Sequence, residues 1–148
     1  MIEIQFMCER HIDQIYQIEL DSFTIPWTRR DFEKELNNKM AIYIAAVENG
    51  DVIGYAGMWH VVNEGHIVNV AVKEEKRQQG VGARLIDKLI MIALEKEMIG
   101  LTLEVRMSNT AAQRLYHKYG FKAEGIRRRY YADTGEDAII MWNYFDRR

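Results

Sequence analysis

The chain opens with Ile2, Ile4 and Phe6 separated by acidic and amide residues, a two-residue period that predicts a short first strand. The period then lengthens, and Ile12, Ile15, Tyr16 and Leu20 recur at helical spacing. A second helix is predicted to start at Thr28, with Asp31 three residues on as an imperfect capping box, and to carry Phe32, Leu36 and Met40. Pro26, the single proline, stands between these two helical patterns in Thr24-Ile25-Pro26-Trp27. Residues 41–47 and 52–59 read as strands around Asn49-Gly50, a pair that favours a tight hairpin turn. Residues 66–72 form another strand, followed by a glycine-bearing segment and a long helix with Leu85, Leu89, Ile92 and Ala93 inward. Residues 101–106 read as a strand and 110–119 as a helix. Residues 121–131 and 137–145 close the chain as strands around the turn Asp133-Thr134-Gly135-Glu136. This order predicts a single α/β domain over 1–148, a mixed and mostly antiparallel sheet of about seven strands with about four helices on its faces.

Composition narrows the setting. At 148 residues the chain is long enough for one proper core, and no stretch reads as a linker, a repeat or a low-complexity tract. A net charge of −2 argues against general nucleic-acid or membrane-surface binding, which call for a basic excess. Cys8 is the only cysteine, so an internal disulfide is impossible and a reducing compartment fits. The first residues carry acidic side chains and no long apolar run, so no signal peptide is expected there, and no apolar run reaches membrane-spanning length. A cytoplasmic monomer is the expectation.

The segment Arg77-Gln78-Gln79-Gly80-Val81-Gly82-Ala83 follows a strand and opens a helix. There the free backbone N–H groups and the helix dipole favour an anion, and two glycines let a ligand come close. Lys76 and Arg77 add positive charge. The segment lacks the third glycine of a dinucleotide fingerprint, where Leu85 stands, and the Gly-Lys-Ser/Thr of a P-loop. On these residues alone, a phosphate-bearing ligand and a solvated helix entry both stand.

Arg77-x-x-Gly80-x-Gly82 after Asn69-Val70-Ala71-Val72 resembles the acyl-CoA diphosphate loop of the GNAT superfamily of N-acetyltransferases. Three further pieces resemble the bacterial ribosomal-protein-alanine N-acetyltransferases within it. They are Leu103-Glu104-Val105-Arg106-Met107-Ser108-Asn109, Leu115-Tyr116-His117-Lys118-Tyr119-Gly120-Phe121, and Arg129-Tyr130-Tyr131 followed by residues 136–141. Phe23-Thr24-Ile25-Pro26-Trp27 also fits, so the resemblance covers nearly the whole chain in the family's order. It implies acetyl-CoA as co-substrate, no metal, and a protein N-terminus as acceptor, specifically the N-terminal alanine of the eighteenth small-subunit ribosomal protein. The loop from Gln78 to Ala83, including Gln79 and Val81, would then hold the diphosphate, although Gln78 and Ala83 stand where other members often carry basic residues.

The residues themselves allow plainer readings. Alternation sends Leu101, Leu103 and Val105 to one face of their strand and Thr102, Glu104 and Arg106 to the other, so Glu104 leaves the core pattern. Pattern alone favours a solvent-facing carboxylate paired with Arg106. The resemblance makes it the general base. Tyr116 at helical spacing with Ala112, Leu115 and Tyr119 reads as core, whereas the family's general acid falls on it. Asn109 reads as a helix cap and, by resemblance, as a cofactor contact. Val70, Ala71 and Val72 read as buried strand, and by resemblance their backbone pairs with the pantetheine arm. Ile25, Pro26 and Trp27 with Tyr130 and Tyr131 read as an apolar plug or, by resemblance, as the two walls flanking the incoming peptide. His11, His60, His66 and His117 lack metal-ligand spacing, although His66 could reach the same cleft as a second base. Cys8 lacks a plausible partner base. Arg127, Arg128 and Arg129 beside two tyrosines read as a solvated face rather than an RNA site.

These readings point to direct acetyl transfer from acetyl-CoA to a protein α-amine. Acetylation of a small-molecule amine and a non-catalytic CoA-binding sensor module are the rivals. The presence of both Glu104 and Tyr116 argues against the sensor.

Overall fold

The computed structural model describes residues 1–145. The one-domain expectation over 1–148 and its last three residues therefore reach beyond the described part. The strands are β1 (Ile2–Phe6), β2 (Ala41–Glu48), β3 (Asp51–Val61), β4 (Glu64–Val72), β5 (Gly100–Arg106), β6 (Lys122–Arg127) and β7 (Ala138–Tyr144). The helices are α1 (Ile12–Ser22), α2 (Arg29–Leu36), α3 (Val81–Glu95) and α4 (Thr110–Lys118), with short 3-10 turns at Glu9–His11 and Glu74–Lys76. All seven strands join one sheet in the order β1-β2-β3-β4-β5-β7-β6.

Local chemistry accounts for most of these elements. Asn49 and Gly50 adopt φ of 53° and 83°, the left-handed pair that a two-residue hairpin between β2 and β3 needs. The capping box of α2 is complete: Thr28 Oγ1 accepts from the Asp31 N–H at 3.1 Å, and Asp31 Oδ2 accepts from the Thr28 N–H at 2.8 Å. Helix α3 buries Leu85, Leu89, Ile92 and Ala93 as its period predicts. With α4 it covers one face of the sheet, packing in one cluster with Met58 of β3, Leu101 of β5 and Phe121. On the other face, Ile12, Ile15 and Ile18 of α1 and Phe32 of α2 pack on Tyr43, Ala45 and Tyr55.

Three expectations need correction. Leu20 is 41% exposed, and α1 instead turns Ile18 and Glu19 inward. Helix α2 ends at Leu36, so Leu36 is at the surface and Met40 lies beyond the helix, half exposed. The strand expected over 121–131 is only Lys122–Arg127, and the next leaves out Asp137 and Phe145. The chain leaves the sheet because Arg129 takes φ of 52° and its N–H donates to Asp137 Oδ1 at 2.8 Å, which folds 128–137 into a long loop in place of a four-residue turn.

The functionally important irregularity lies between β4 and β5. Every other pair of neighbouring strands is antiparallel, but these two run parallel and pair at three positions only, Glu64 with Gly100, Gly65 with Leu101 and His66 with Thr102. Beyond His66 the strands part. The register of β3 against β4 jumps from Met58–Ile67 to Gly57–Asn69, so Val68 is the extra residue of a bulge at the point where the parting begins.

Candidate active site

The gap between β4 and β5 opens into a cavity of about 500 Å³. Ile67, Val68, Asn69 and Val70 line it from β4, Leu103, Glu104, Val105 and Arg106 from β5, and Asn109, Ala112 and Tyr116 from the start and body of α4. Ile25 and Trp27 of the 23–28 loop and Tyr130, Tyr131 and Asp133 of the 128–137 loop complete the wall. The parting therefore brings together Glu104, Tyr116, Asn109, Val70, Ile25, Trp27, Tyr130 and Tyr131. It does not bring Pro26, Ala71, Val72 or the segment from Arg77 to Ala83 to the cavity wall. Ala71 points to the opposite face, beneath the α1–α2 cluster.

Glu104 stands at the head of the opening. Its Oε1 lies 2.7 Å from His66 Nε2, and its Oε2 accepts from Arg127 Nε at 3.2 Å. The expected partnership with Arg106 is absent, because Arg106 turns to the 128–137 loop. The His66 hydrogen bond first, then the Arg127 charge and hydrogen bond, hold the Glu104 carboxyl below its ordinary value against the opposing effect of burial. Tyr116 packs edge-on against Phe121 with ring centroids 5.8 Å apart. Burial, with a smaller contribution from Tyr131, pushes its phenol up to about 12, so it stays protonated at any neutral pH.

The two loops at the mouth are tied to β5 and to each other. Arg106 Nη2 pairs with Asp133 Oδ2 at 2.8 Å, Nη1 with Glu136 Oε1 at 3.4 Å, and the guanidinium carbon sits 4.0 Å from the Tyr131 ring centroid. Glu136 Oε2 accepts the Ser108 N–H at 2.6 Å. The Thr24 hydroxyl, 109 positions earlier in the chain, donates to the same Asp133 Oδ2. Tyr130 and Tyr131 stand edge to face, 5.1 Å apart.

The glycine segment sits at the same end of the parallel strands. Gly80 takes φ of 84° as the residue before α3, a conformation that favours glycine. Gly82 is different. A Cβ there would meet nothing outside its own helix closer than Leu115 Cδ2 of α4 at 3.5 Å, so packing does not require glycine. The first amide of α3 to be returned is that of Arg84, to Gly80 O at 3.1 Å, which leaves the N–H groups of Val81, Gly82 and Ala83 for an outside acceptor. Arg77 braces the segment, donating from Nε to Val72 O at 2.9 Å and from Nη2 to Ser22 Oγ at 3.3 Å. Lys76 pairs with Glu48 at 2.8 Å. Asn109 is a cap as its pattern suggests, Oδ1 accepting the Ala112 N–H at 3.1 Å, and its amide nitrogen remains available.

Two features escaped the sequence reading. Glu19 and Asn69, both buried, line the cavity floor. Glu19 carried a signal, since it falls four residues after Ile15 on an apolar helical stripe where a carboxylate is rare. Asn69 carried none. Cys8 Sγ lies 3.6 Å from His11 Nδ1, but that nitrogen already accepts the Cys8 N–H at 3.1 Å, and neither residue lines the cavity. Among the described residues no group of three or more His, Cys, Asp or Glu side chains could hold a metal, and no helix is long and apolar enough to cross a membrane.

Known proteins are similar to this chain in sequence and in fold. A Bacillus subtilis protein named as a candidate ribosomal protein bS18-alanine N-acetyltransferase is 46% identical over 132 residues, covering 88% of this chain and 87% of its own length. The Escherichia coli ribosomal protein bS18-alanine N-acetyltransferase is 35% identical over 128 residues, covering 85% of this chain and 86% of its own. A crystal structure of the Escherichia coli ribosomal-protein-S18-alanine N-acetyltransferase superposes with a TM-score of 0.92 at 31% identity, over 100% of this chain and 96% of that one. Residues 12–121 match the acetyltransferase (GNAT) family. The parted parallel strands, the free amides opening α3 and this run of similarity agree, and the chain belongs to the acetyltransferase (GNAT) family, whose acetyl donor is acetyl-CoA.

Proposed function

We propose that the chain moves acetyl from acetyl-CoA directly to the α-amine of a protein N-terminus, the N-terminal alanine of a small-subunit ribosomal protein being its target. The observation that carries this reading is the single cavity shared by Glu104 and Tyr116, with the 23–28 and 128–137 loops at its mouth. The names of the relatives support the choice of acceptor.

The residues present suit the co-substrate. The side of β4 away from β3, at Val70, Ala71 and Val72, suits the pantetheine arm, with Val72 O already taken by Arg77 Nε. Amides from Gln78, Gln79, Gly80, Val81, Gly82 and Ala83, with Arg77 behind them, suit the diphosphate. Asn109, on the cavity wall, has its side-chain nitrogen left to donate to the same ligand. Acetyl-CoA supplies the activated thioester carbon.

Glu104 receives the proton that the amine sheds as its nitrogen bonds to that carbon. A peptide α-amine has a pKa of about 7.7–8.0, so a carboxylate held low can serve if the proton moves on. His66, bonded to Glu104 and lining the cavity, is a second acceptor for that proton. The Tyr116 O–H donates to the departing sulfur as the C–S bond breaks. A CoA thiolate, with a thiol pKa near roughly 8.5, needs little more than that hydrogen bond.

Ile25, Pro26 and Trp27 on one side and Tyr130 and Tyr131 on the other bind the acceptor chain. The reading carries with it a monomeric cytoplasmic enzyme of one domain, with no direct nucleic-acid or membrane contact. Acetylation of peptides differing only at the terminus tests it. Peptides beginning with Ala are expected to react much faster than the same peptides with a blocked terminus and an internal lysine. Equal rates, or preference for a small amine, would overturn the acceptor. Binding of acetyl-CoA without any turnover would leave a sensor module.

A further inference from the structure

Glu19 is a buried charge that the transfer reaction does not use. It is 2% exposed and lies on the floor of the cavity. Both of its oxygens are engaged: the Trp27 N–H donates to Oε2 at 2.9 Å, and the Tyr55 hydroxyl donates to Oε1. One carboxylate thus joins α1, the 23–28 loop and the middle of β3. No Lys, Arg or His pairs with it among the described residues. A carboxylate kept out of water without a cation is costly, and an apolar side chain would complete the α1 stripe without that cost.

The contacts continue towards the parted strands. The Asn69 side chain favours the Glu19 carboxylate, and Asn69 Oδ1 accepts from the Tyr43 hydroxyl at 2.7 Å. Asn69 stands in the β4 bulge, next to Val70. The Trp27 ring completes the circuit, with its centroid 5.3 Å from that of Phe32 and 6.3 Å from that of Tyr43. The peptide of Trp27 therefore has its height above the cavity set by the same polar cluster that sits behind the bulge.

We propose that Glu19 is the positioning residue of the acceptor site. By holding the Trp27 peptide it fixes Ile25 and Trp27 at a set distance from β4, so that an incoming peptide terminus meets a wall already in place. This rests on the reading of the 23–28 loop as an acceptor wall, and extends it to the residue that holds that wall in place.

The test exploits the difference between an amide and a methyl group. Glu19→Gln keeps an oxygen for the Trp27 N–H and offers an NH₂ to the Tyr55 oxygen, so both links survive. Glu19→Ala removes both. For Glu19→Ala the KM for an Ala-first peptide is expected to rise roughly 5- to 100-fold, the range for a lost buried hydrogen-bond partner. Acetyl-CoA affinity by calorimetry should hold, and hydrogen exchange at the Trp27 amide should accelerate. Glu19→Gln should restore peptide KM and amide protection. If Glu19→Ala does not fold, Tyr55→Phe, which cuts the link to β3 alone, is expected to move the same readouts in the same direction. Wild-type peptide KM in the cut variant, or a parallel loss of acetyl-CoA affinity, overturns the positioning role. If the wild-type protein acetylates no peptide terminus, the acceptor reading fails separately, while Trp27 amide exchange still decides whether Glu19 holds the loop.

Discussion

His66 pairs with Thr102 on the last rung joining β4 to β5, and its Nε2 reaches past that rung to Glu104 Oε1 at 2.7 Å. The contact spans the apex of the opening, where the two strands are still close enough for side chains to meet. Parting and pairing are thus one geometric event. A rung fewer and the imidazole would face open space, a rung more and the carboxylate would be sealed between strands.

Glu104→Gln keeps the shape of this apex and removes its proton acceptor. Turnover should fall roughly 10²–10⁴-fold while acetyl-CoA binding is nearly intact. The deficit should shrink at high pH, where the substrate amine is already neutral. Steady-state rates across pH check this, and a wild-type rate at neutral pH would transfer the role to His66 or a water.

Gly82→Val should weaken acetyl-CoA binding roughly 10- to 100-fold, since the new side chain blocks approach to amides that bind a charged group. The fold should tolerate it, because the position of the first added carbon lies 3.5 Å or more from α4 and β4. Calorimetry on the folded variant measures the affinity. Gly80→Val, by contrast, should lower thermal stability, since φ of 84° strains a β-branched residue.

The chain from Arg106 through Asp133 to Thr24 joins both acceptor walls to β5. Asp133→Ala removes the shared oxygen and should loosen the spacing of the walls. The expected result is a raised KM for Ala-first peptides and a smaller preference for them over blocked lysine peptides, with acetyl-CoA affinity unchanged. An unaltered preference would mean that the walls keep their spacing without this link. Tyr131→Ala should raise peptide KM as well, since it removes the ring on which Arg106 rests.

Burial holds the Glu19 carboxyl above its ordinary value of 4.5, outweighing the hydrogen bonds from the Trp27 amide, the Tyr55 hydroxyl and Asn69. The folded chain therefore binds that proton more tightly than the unfolded one. The stability this contributes is fully present below 4.5 and is lost as pH rises through the folded value. Glu19→Gln, which stays neutral, should raise Tm relative to wild type at neutral pH, and the gain should fade on acidification below the ordinary carboxyl range. A Tm difference that is flat across this window would contradict it.

Periodic and local signals carried most of the fold into the sequence. The inward stripe of α3 and the Asn49-Gly50 hairpin are short-range patterns, and both appear as read. Glu104 leaving the apolar alternation of β5 was equally visible. Leu20, Leu36 and Met40 misled because an apolar side chain at a helical position need not face the core. Tyr130 and Tyr131 favour strand by composition, yet the left-handed Arg129 and the Asp137 carboxylate take that stretch out of the sheet. The reach of His66 into the cleft was legible, but its bond to Glu104, and that of Arg127, were hidden for a simpler reason. His66 and Arg127 lie 38 and 23 positions away, and only the sheet order brings them together.

The parting of β4 from β5 leaves two interior edges, each with its other side paired, to β3 apart from the bulge at Val68 and to β7. Edge strands invite a guest strand, and here the invitation is sheltered from other proteins by helices on both faces. A ligand with amide groups laid into that slot would act as a seam between a half-sheet of β1 to β4 and one of β5, β7 and β6. Heat resistance should then report co-substrate supply, rising with free acetyl-CoA by mass action and falling when the pool is drained. A starved cell would hold the same protein in a form less resistant to unfolding and to proteolysis.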